Sequence, residues 1–289
     1  MTAHGTRPAP WMPSALWTRS TGSGVRATET TNTAAPPPGQ GAVARPAVSL
    51  EQVTKRYLGD NGILALDGIS LTVRPGEFLT LVGASGCGKS TLLNLVSGLD
   101  RPTSGSVQVE GLAAFLFQDH ALFPWLSALD NVATPLRLRG VGRKDREAQA
   151  LDYLEAVHLA DFADRRPHEL SGGMKQRVAI ARTLATRAPV LLMDEPFGAL
   201  DAMTRDLLHD ELESIWRERN LTVLFVTHNV REAVRLGDRV VLLSSRPGRI
   251  VSEYDVDIDR PRRIEDRVVS ELARQITDAL RSEVARHGA

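Results

Sequence analysis

Nine consecutive residues, Gly83-Ala84-Ser85-Gly86-Cys87-Gly88-Lys89-Ser90-Thr91, read G-x-x-x-x-G-K-S-T. The glycines let the backbone curl until successive N–H groups converge on one point, which is what phosphate oxygens need. Lys89 adds a point charge for the β- and γ-phosphates, and the Ser90 hydroxyl is the expected ligand for Mg²⁺. Cys87 sits inside the loop where a small side chain is required; a thiol reagent attached there is expected to block nucleotide by its bulk. Far downstream, Asp194-Glu195 follows the apolar run Val190-Leu191-Leu192-Met193. A carboxylate at such a strand end matches a phosphate loop: Asp194 for Mg²⁺, and Glu195 as the general base that polarises the attacking water. A second glycine-rich grip, Ser171-Gly172-Gly173, opens a helix and offers N–H groups and a positive helix end to an anion. It has no lysine loop or acidic strand of its own. The economical reading is that it closes over the γ-phosphate held by a second copy of the chain.

These groups need elements to hold them. Phe78-Leu79-Thr80-Leu81-Val82, almost wholly apolar, reads as a buried parallel strand feeding the loop, and Lys89 to Ser97 reads as the helix leaving it, ended by Gly98. Val190–Met193, Leu221–Val226 and Val240–Leu243 read as further buried strands. Val48, Leu50 and Val53 suggest an edge strand, and Leu64 to Val73 another, ending at Arg74-Pro75-Gly76. Helical patterns alternate with the strands, and a helical insert is expected between Asp130 and Ala185. The fold class that follows is α/β with a largely parallel core sheet. Ile264, Val268, Leu272, Ile276, Leu280 and Val284 recur every four residues and predict an amphipathic C-terminal helix that packs on its own domain.

Composition bounds the rest. Of 289 residues 42% are hydrophobic, enough for one folded domain with appendages. Thirty-five basic side chains balance 35 acidic ones, so there is no basic excess of the kind a nucleic-acid binder shows. The one cysteine, Cys87, excludes an intramolecular disulfide framework and suits a reducing compartment. No apolar run approaches the roughly 20 residues that span a bilayer, and the N-terminus has no signal-type apolar core. Work at a membrane would therefore mean holding another protein. Residues 1–46, rich in Pro, Gly, Ala and Thr with Trp11 and Trp17 as the large apolar groups, read as a disordered extension.

The motif order Gly83–Thr91, Gln118, Leu170–Met174, Leu191–Glu195, Ala199-Leu200-Asp201 and Thr227-His228 resembles that of ATP-binding cassette ATPases, over roughly Val48 to Arg263. The resemblance implies a P-loop core with a mostly parallel sheet, an antiparallel β edge subdomain and a helical subdomain at about 119–186, within a domain at 47–263 followed by the helix at 264–289. It implies a head-to-tail homodimer with two ATP at the seam. It further implies that Tyr57 stacks on adenine, that Gln118 touches Mg²⁺ or the water, that Asp201 crosses the seam, and that His228 contacts the γ-phosphate and holds the water with Glu195.

Phe117 to Trp125, Asp194 to Asp201 and Asp257 to Arg263 are similar to the stretches of importers for sulfonates, taurine and nitrate, aliphatic sulfonate importers most. That similarity implies an ATP hydrolase on the cytoplasmic side of the cell membrane. It would serve a transmembrane permease and, through it, a solute-binding protein. Leu122, Phe123 and Trp125 either line the permease groove or belong to the core. Asn229 stands where relatives carry Asp, and the segment from Gly105 to Phe117 is short for the subgroup. A soluble cassette ATPase and a non-catalytic nucleotide sensor are the alternatives.

Overall fold

The computed structural model describes residues 45–57, 62–198 and 200–287. The N-terminal extension with Trp11 and Trp17 therefore lies outside the described residues up to 44, as does Ala199. The described residues fall within one compact unit, Ala44–Ala289.

Its centre is a six-stranded sheet. Strands β3 (Phe78–Val82), β6 (Val190–Asp194), β7 (Thr222–Val226) and β8 (Arg239–Leu243) are joined by β5 (Ala113–Leu116) and β9 (Ile250–Asp255) in the order β5-β6-β7-β3-β8-β9. All pairings are parallel except β8 with β9. Every residue of β3, β6 and β7 is buried, as continuous apolar runs covered on both faces require. Each large side chain so buried contributes about 1.5–3 kcal/mol. Parallel strands end on the same side, so the segments after β3, β6 and β7 emerge together. That side is where open α/β sheets gather ligands.

A second sheet, antiparallel, has the order β2-β1-β4, with β1 at Val48–Arg56, β2 at Leu64–Val73 and β4 at Ser104–Val109. The expectation that β1 is an edge strand is wrong: it is the middle strand. Buried Val48, Leu50 and Val53 report which face is covered, and say nothing of whether both margins are hydrogen-bonded. β4, β5 and β9 had no clear signal because their faces are half covered or short.

Helix α1 (Lys89–Val96) leaves β3 and ends at Ser97, with Gly98 at φ 76° in the left-handed region. The insert is helical: α2 (Ala128–Leu138), α3 (Arg143–Ala156) and α4 (Gly172–Ala185), with short 3₁₀ turns at Ala160–Phe162 and Pro167–Glu169. Three of the long helices, α2, α4 and one that follows the insert, have a readable start, whereas α3 begins at Gly142 with no side-chain cap. Ser127 accepts from the Asp130 N–H, Ser171 from that of Met174, and Asp201, ahead of α5 (Ala202–Arg219), from that of Thr204. Asn229 caps α6 (Val230–Leu236), its Oδ1 accepting from Arg231 and Glu232. An amide serves there as a carboxylate would.

Helix α7 (Arg267–His287) packs on α6 through Val269, Ala273 and Ile276. Of the four-residue repeat, Leu272, Ile276 and Leu280 lie on this packed face, whereas Val268 and Val284 at its ends are exposed and Ile264 precedes the helix. A step of four overshoots a 3.6-residue turn by about 40° each time, and a strict repeat drifts off the packed face. The Asp257–Arg263 segment supplies a buried brace. Arg262 donates to the carbonyls of Ile258, Val234, Gly237 and Val256, and burial lowers its pKa to about 10.

Candidate nucleotide site

The loop Gly83–Thr91 joins β3 to α1, and Gly88 is the N-cap of that helix at φ 104°. A side chain at Gly88 would be strained twice, by that φ and by an Ala65 carbonyl 2.8 Å from its Cβ. Lys89, 6% exposed, donates from Nζ to the carbonyls of Gly83 and Ala84 at 2.9 Å each. Its charge is thus held at the loop by backbone dipoles, which anionic oxygens can replace. Cys87 is buried beneath the loop, and that burial pushes its thiol up. The residue is 1% exposed, so a thiol reagent has little access to it in this conformation.

Beside the loop lies a cavity of about 530 Å³. Ser85, Gly86, Gly88, Lys89, Ser90 and Thr91 form its floor, and Gln118, Glu195 and His228 stand along one wall. Gly83, Ala84 and Cys87 shape the loop without lining the cavity. Tyr57 marks the far end, half turned to solvent, with its hydroxyl 3.4 Å from Thr91 Oγ1 and Lys55 Nζ 5.0 Å from its ring centre.

Asp194 closes β6 and is buried next to Ser90. Burial pushes its carboxyl up, while the hydrogen bond from Ser90 and the charge of Lys89 pull it back. A buried carboxylate and a hydroxyl beside a phosphate loop form an oxygen donor set of the kind a hard divalent cation takes. The residues therefore fit Mg²⁺, with Ser90 and Asp194 as the holders and Gln118 on the same wall. Glu195 follows with a left-handed backbone, φ 47°, its N–H bonded to the Val226 carbonyl. That turn swings its side chain out of the strand line to His228, whose Nδ1 lies 3.0 Å from Glu195 Oε2. A carboxylate so held beside a phosphate loop can take a proton from water.

Two groups of expected residues lie elsewhere. Ser171, Gly172 and Gly173 are not in the cavity; a Cβ on Gly173 would meet Leu200 Cδ2 at 3.2 Å, while Gly172 faces open space. Asp201 is likewise outside it, its carboxyl held low by the Thr204 N–H bond. Of the three apolar residues after Gln118, Phe123 and Trp125 are exposed and stack at 5.6 Å, and Leu122 is half-buried. They are not core.

Sequence reasoning missed Arg246, Ile63 and Ala65 in the lining. Arg246 reaches the loop from the β8–β9 connection, Nε donating to the Gly86 carbonyl at 3.4 Å. Its neighbours Ser-Arg-Pro-Gly read only as a turn, and nothing local reveals where a turn lands 160 residues away.

Comparison with known proteins places this architecture. Residues 66–198 match the family described as ABC transporter. The taurine import ATP-binding protein TauB of Chromobacterium violaceum is 52% identical over 71% of this chain and 81% of its own. The nitrate import ATP-binding protein NrtD of Synechocystis is 46% identical over 73% and 83%. The bicarbonate transport ATP-binding protein CmpC of Synechococcus elongatus is 48% identical over 75% of this chain, which spans only 34% of that longer protein. A dimeric post-hydrolysis structure of the ATP-binding cassette MJ0796 bound to ADP and Pi superposes with a TM-score of 0.69 at 35% identity, covering 73% of this chain and 100% of that one. The chain belongs to the ATP-binding protein family of ABC transporters.

Proposed function

We propose that this chain is the ATP-hydrolysing subunit of an import complex for a small anion, aliphatic sulfonates in particular. The observation that carries the enzymatic part is the 3.0 Å contact of Glu195 with His228 on the wall of the loop cavity. In this reading the backbone N–H groups of Gly83–Thr91 take the phosphates, and Lys89 exchanges its two loop carbonyls for β- and γ-oxygens. Tyr57 lies against adenine at the other end. Ser90 and Asp194 hold Mg²⁺, with Gln118 beside them; when bound, the ion neutralises charge on the phosphate oxygens. Glu195 takes the proton of the attacking water. His228 fixes the Glu195 carboxylate and contacts the γ-phosphate.

The site is completed by a second copy. Ser171, Gly172 and Gly173 stand outside the chain's own cavity at a capped helix start, suited to cover a γ-phosphate bound by another chain. Asp201 accompanies them at the seam. The dimeric MJ0796 cassette supports that arrangement. Closure then follows from contacts ATP makes only in the joined state. Exposed Phe123 and Trp125 suit a permease contact, with a solute-binding protein acting through the permease. Among the described residues no helix is long and apolar enough to cross a membrane; a peripheral place on the cytoplasmic side is part of this reading. The sulfonate reading rests on the TauB likeness, taurine being an aminosulfonate.

The test is reconstitution in vesicles with the transmembrane permease that co-purifies with the chain. Uptake of an alkanesulfonate that is driven by ATP and lost in Lys89→Ala supports the proposal. Uptake of nitrate or bicarbonate instead would move the solute, and absence of nucleotide hydrolysis would remove the enzymatic reading.

A further inference from the structure

Behind the wall of the cavity lies a buried polar pair, His209 on α5 and Glu232 in the first turn of α6, 0% and 4% exposed. His209 Nε2 lies 2.7 Å from Glu232 Oε1. The other carboxylate oxygen accepts a short hydrogen bond from the Thr227 hydroxyl. With Glu232 accepting at both oxygens, His209 carries its proton on Nε2. Neither His209, Glu232 nor Thr227 lines the cavity.

The pair touches both segments that present the wall. On one side, Thr227 immediately precedes His228, and its Oγ1 also accepts from the Asn229 N–H at 3.0 Å. Asn229 in turn accepts from the Glu232 N–H. His228 is thus clamped fore and aft by residues tied to Glu232, and the Thr227 N–H is anchored to Leu81 in β3. On the other side, the edge of the His209 ring meets Phe197, centroids 4.7 Å apart at 80°. Phe197 is buried two residues after Glu195 and packs on Phe225 in β7. One buried pair therefore supports the Glu195 segment through Phe197 and the His228 segment through Thr227.

Replacing a buried polar pair by well-packed apolar residues is often neutral for stability, because desolvation costs most of what the attraction returns. What the pair adds is direction. Burial pushes the Glu232 carboxyl up, while Thr227 and nearby Arg205 pull it back. Both Glu232 oxygens are engaged, which gives the carboxylate one geometry where an apolar contact has several, while His209 Nδ1 is buried without a hydrogen-bond partner, 3.8 Å from Asp206 Oδ1.

We propose that His209 and Glu232 are positioning residues that set the distance between Glu195 and His228, so that they govern the rate of the hydrolytic step and not the binding of nucleotide. This rests on the hydrolytic reading above. The experiment is steady-state ATP hydrolysis by the full chain, with nucleotide affinity measured separately. Thr227→Val keeps the side-chain shape and removes the hydroxyl; kcat is expected to fall roughly 10–100-fold with KM within about twofold, the loss a displacement of about 1 Å brings. Thr227→Ser restores the hydroxyl and most of the rate. His209→Leu is expected to repeat the loss, and His209→Gln, which keeps an N–H donor, to recover much of it.

Wild-type kcat in Thr227→Val, or equal losses in Thr227→Val and Thr227→Ser, would overturn the proposal whether or not His209→Leu folds. Glu195→Gln separates the two levels. If it turns over normally, the base assignment falls and this inference with it. If it is inactive while Thr227→Val keeps its kcat, only the positioning role falls.

Discussion

Nδ1 of His228 stands 3.0 Å from Oε2 of Glu195, and the two residues meet from the ends of adjacent parallel strands, 33 positions apart. The register that pairs Asp194 with Val226 brings the segments after β6 and β7 level with one another. Only the left-handed turn at Glu195 is needed to complete the contact. A side chain in that backbone region is uncommon outside glycine and asparagine, and such positions gather where geometry matters more than local comfort.

Glu195→Gln is expected to lower hydrolysis roughly 10²–10⁴-fold, the span a positioned general base contributes. Its amide still meets His228, so nucleotide affinity stays near wild type. Phosphate release and a nucleotide titration on the same preparation check both halves.

Gly88→Ala is expected to destabilise the fold by roughly 2–4 kcal/mol, from the positive φ and the collision with the strand before β2's midpoint. The added Cβ would stand 2.7 Å from Leu66 Cδ2 and 2.8 Å from the Ala65 carbonyl, and the backbone carbonyl cannot turn aside. The shift in urea midpoint at unchanged slope measures it.

Cys87 is expected to stay unmodified by a maleimide or an aromatic disulfide in native buffer and to react only as fast as the chain unfolds. Burial limits access to the thiol and raises its pKa, which lowers the thiolate fraction a reagent needs. Counting labelled protein by mass against time, with and without urea, decides it.

Asp194 gives a pH signature. Its folded-state pKa lies above the unfolded one, chiefly through burial. The folded chain then holds that proton more tightly, so the contribution to stability is full below about pH 4, the ordinary aspartate value, and is lost as pH rises through the folded pKa. Asp194→Asn removes this titration. In metal-free buffer the wild type is expected to lose stability relative to the variant as pH climbs from 4 toward neutrality, read from urea unfolding at each pH.

The catalytic side of the molecule was legible because its signals are local. A glycine loop between a buried strand and a helix, and two carboxylates after a second such strand, are written in consecutive residues, and β3, β6 and β7 are continuous apolar runs. Position within a sheet was not. The apolar residues of β1 suggest an edge strand, yet it is paired on both margins, since side-chain pattern reports only the covered face. Arg246 and Arg262 were missed for another reason. Their partners are carbonyls far away in sequence, and a guanidinium in a loop looks the same whether it is solvated or buried as a brace. The pair His209–Glu232 is hidden likewise, each residue unremarked until the helices carrying them are packed.

The proposed shared seam has one decisive assay, hydrolysis by Ser171→Arg. Ser171 does not line the cavity of its own chain, so a site built within a single chain would not feel the change. The expected result is normal nucleotide affinity with hydrolysis abolished, partly regained on mixing with Lys89→Ala, because the mixed dimer keeps one intact composite site. Wild-type turnover by Ser171→Arg as a monomer would contradict the account.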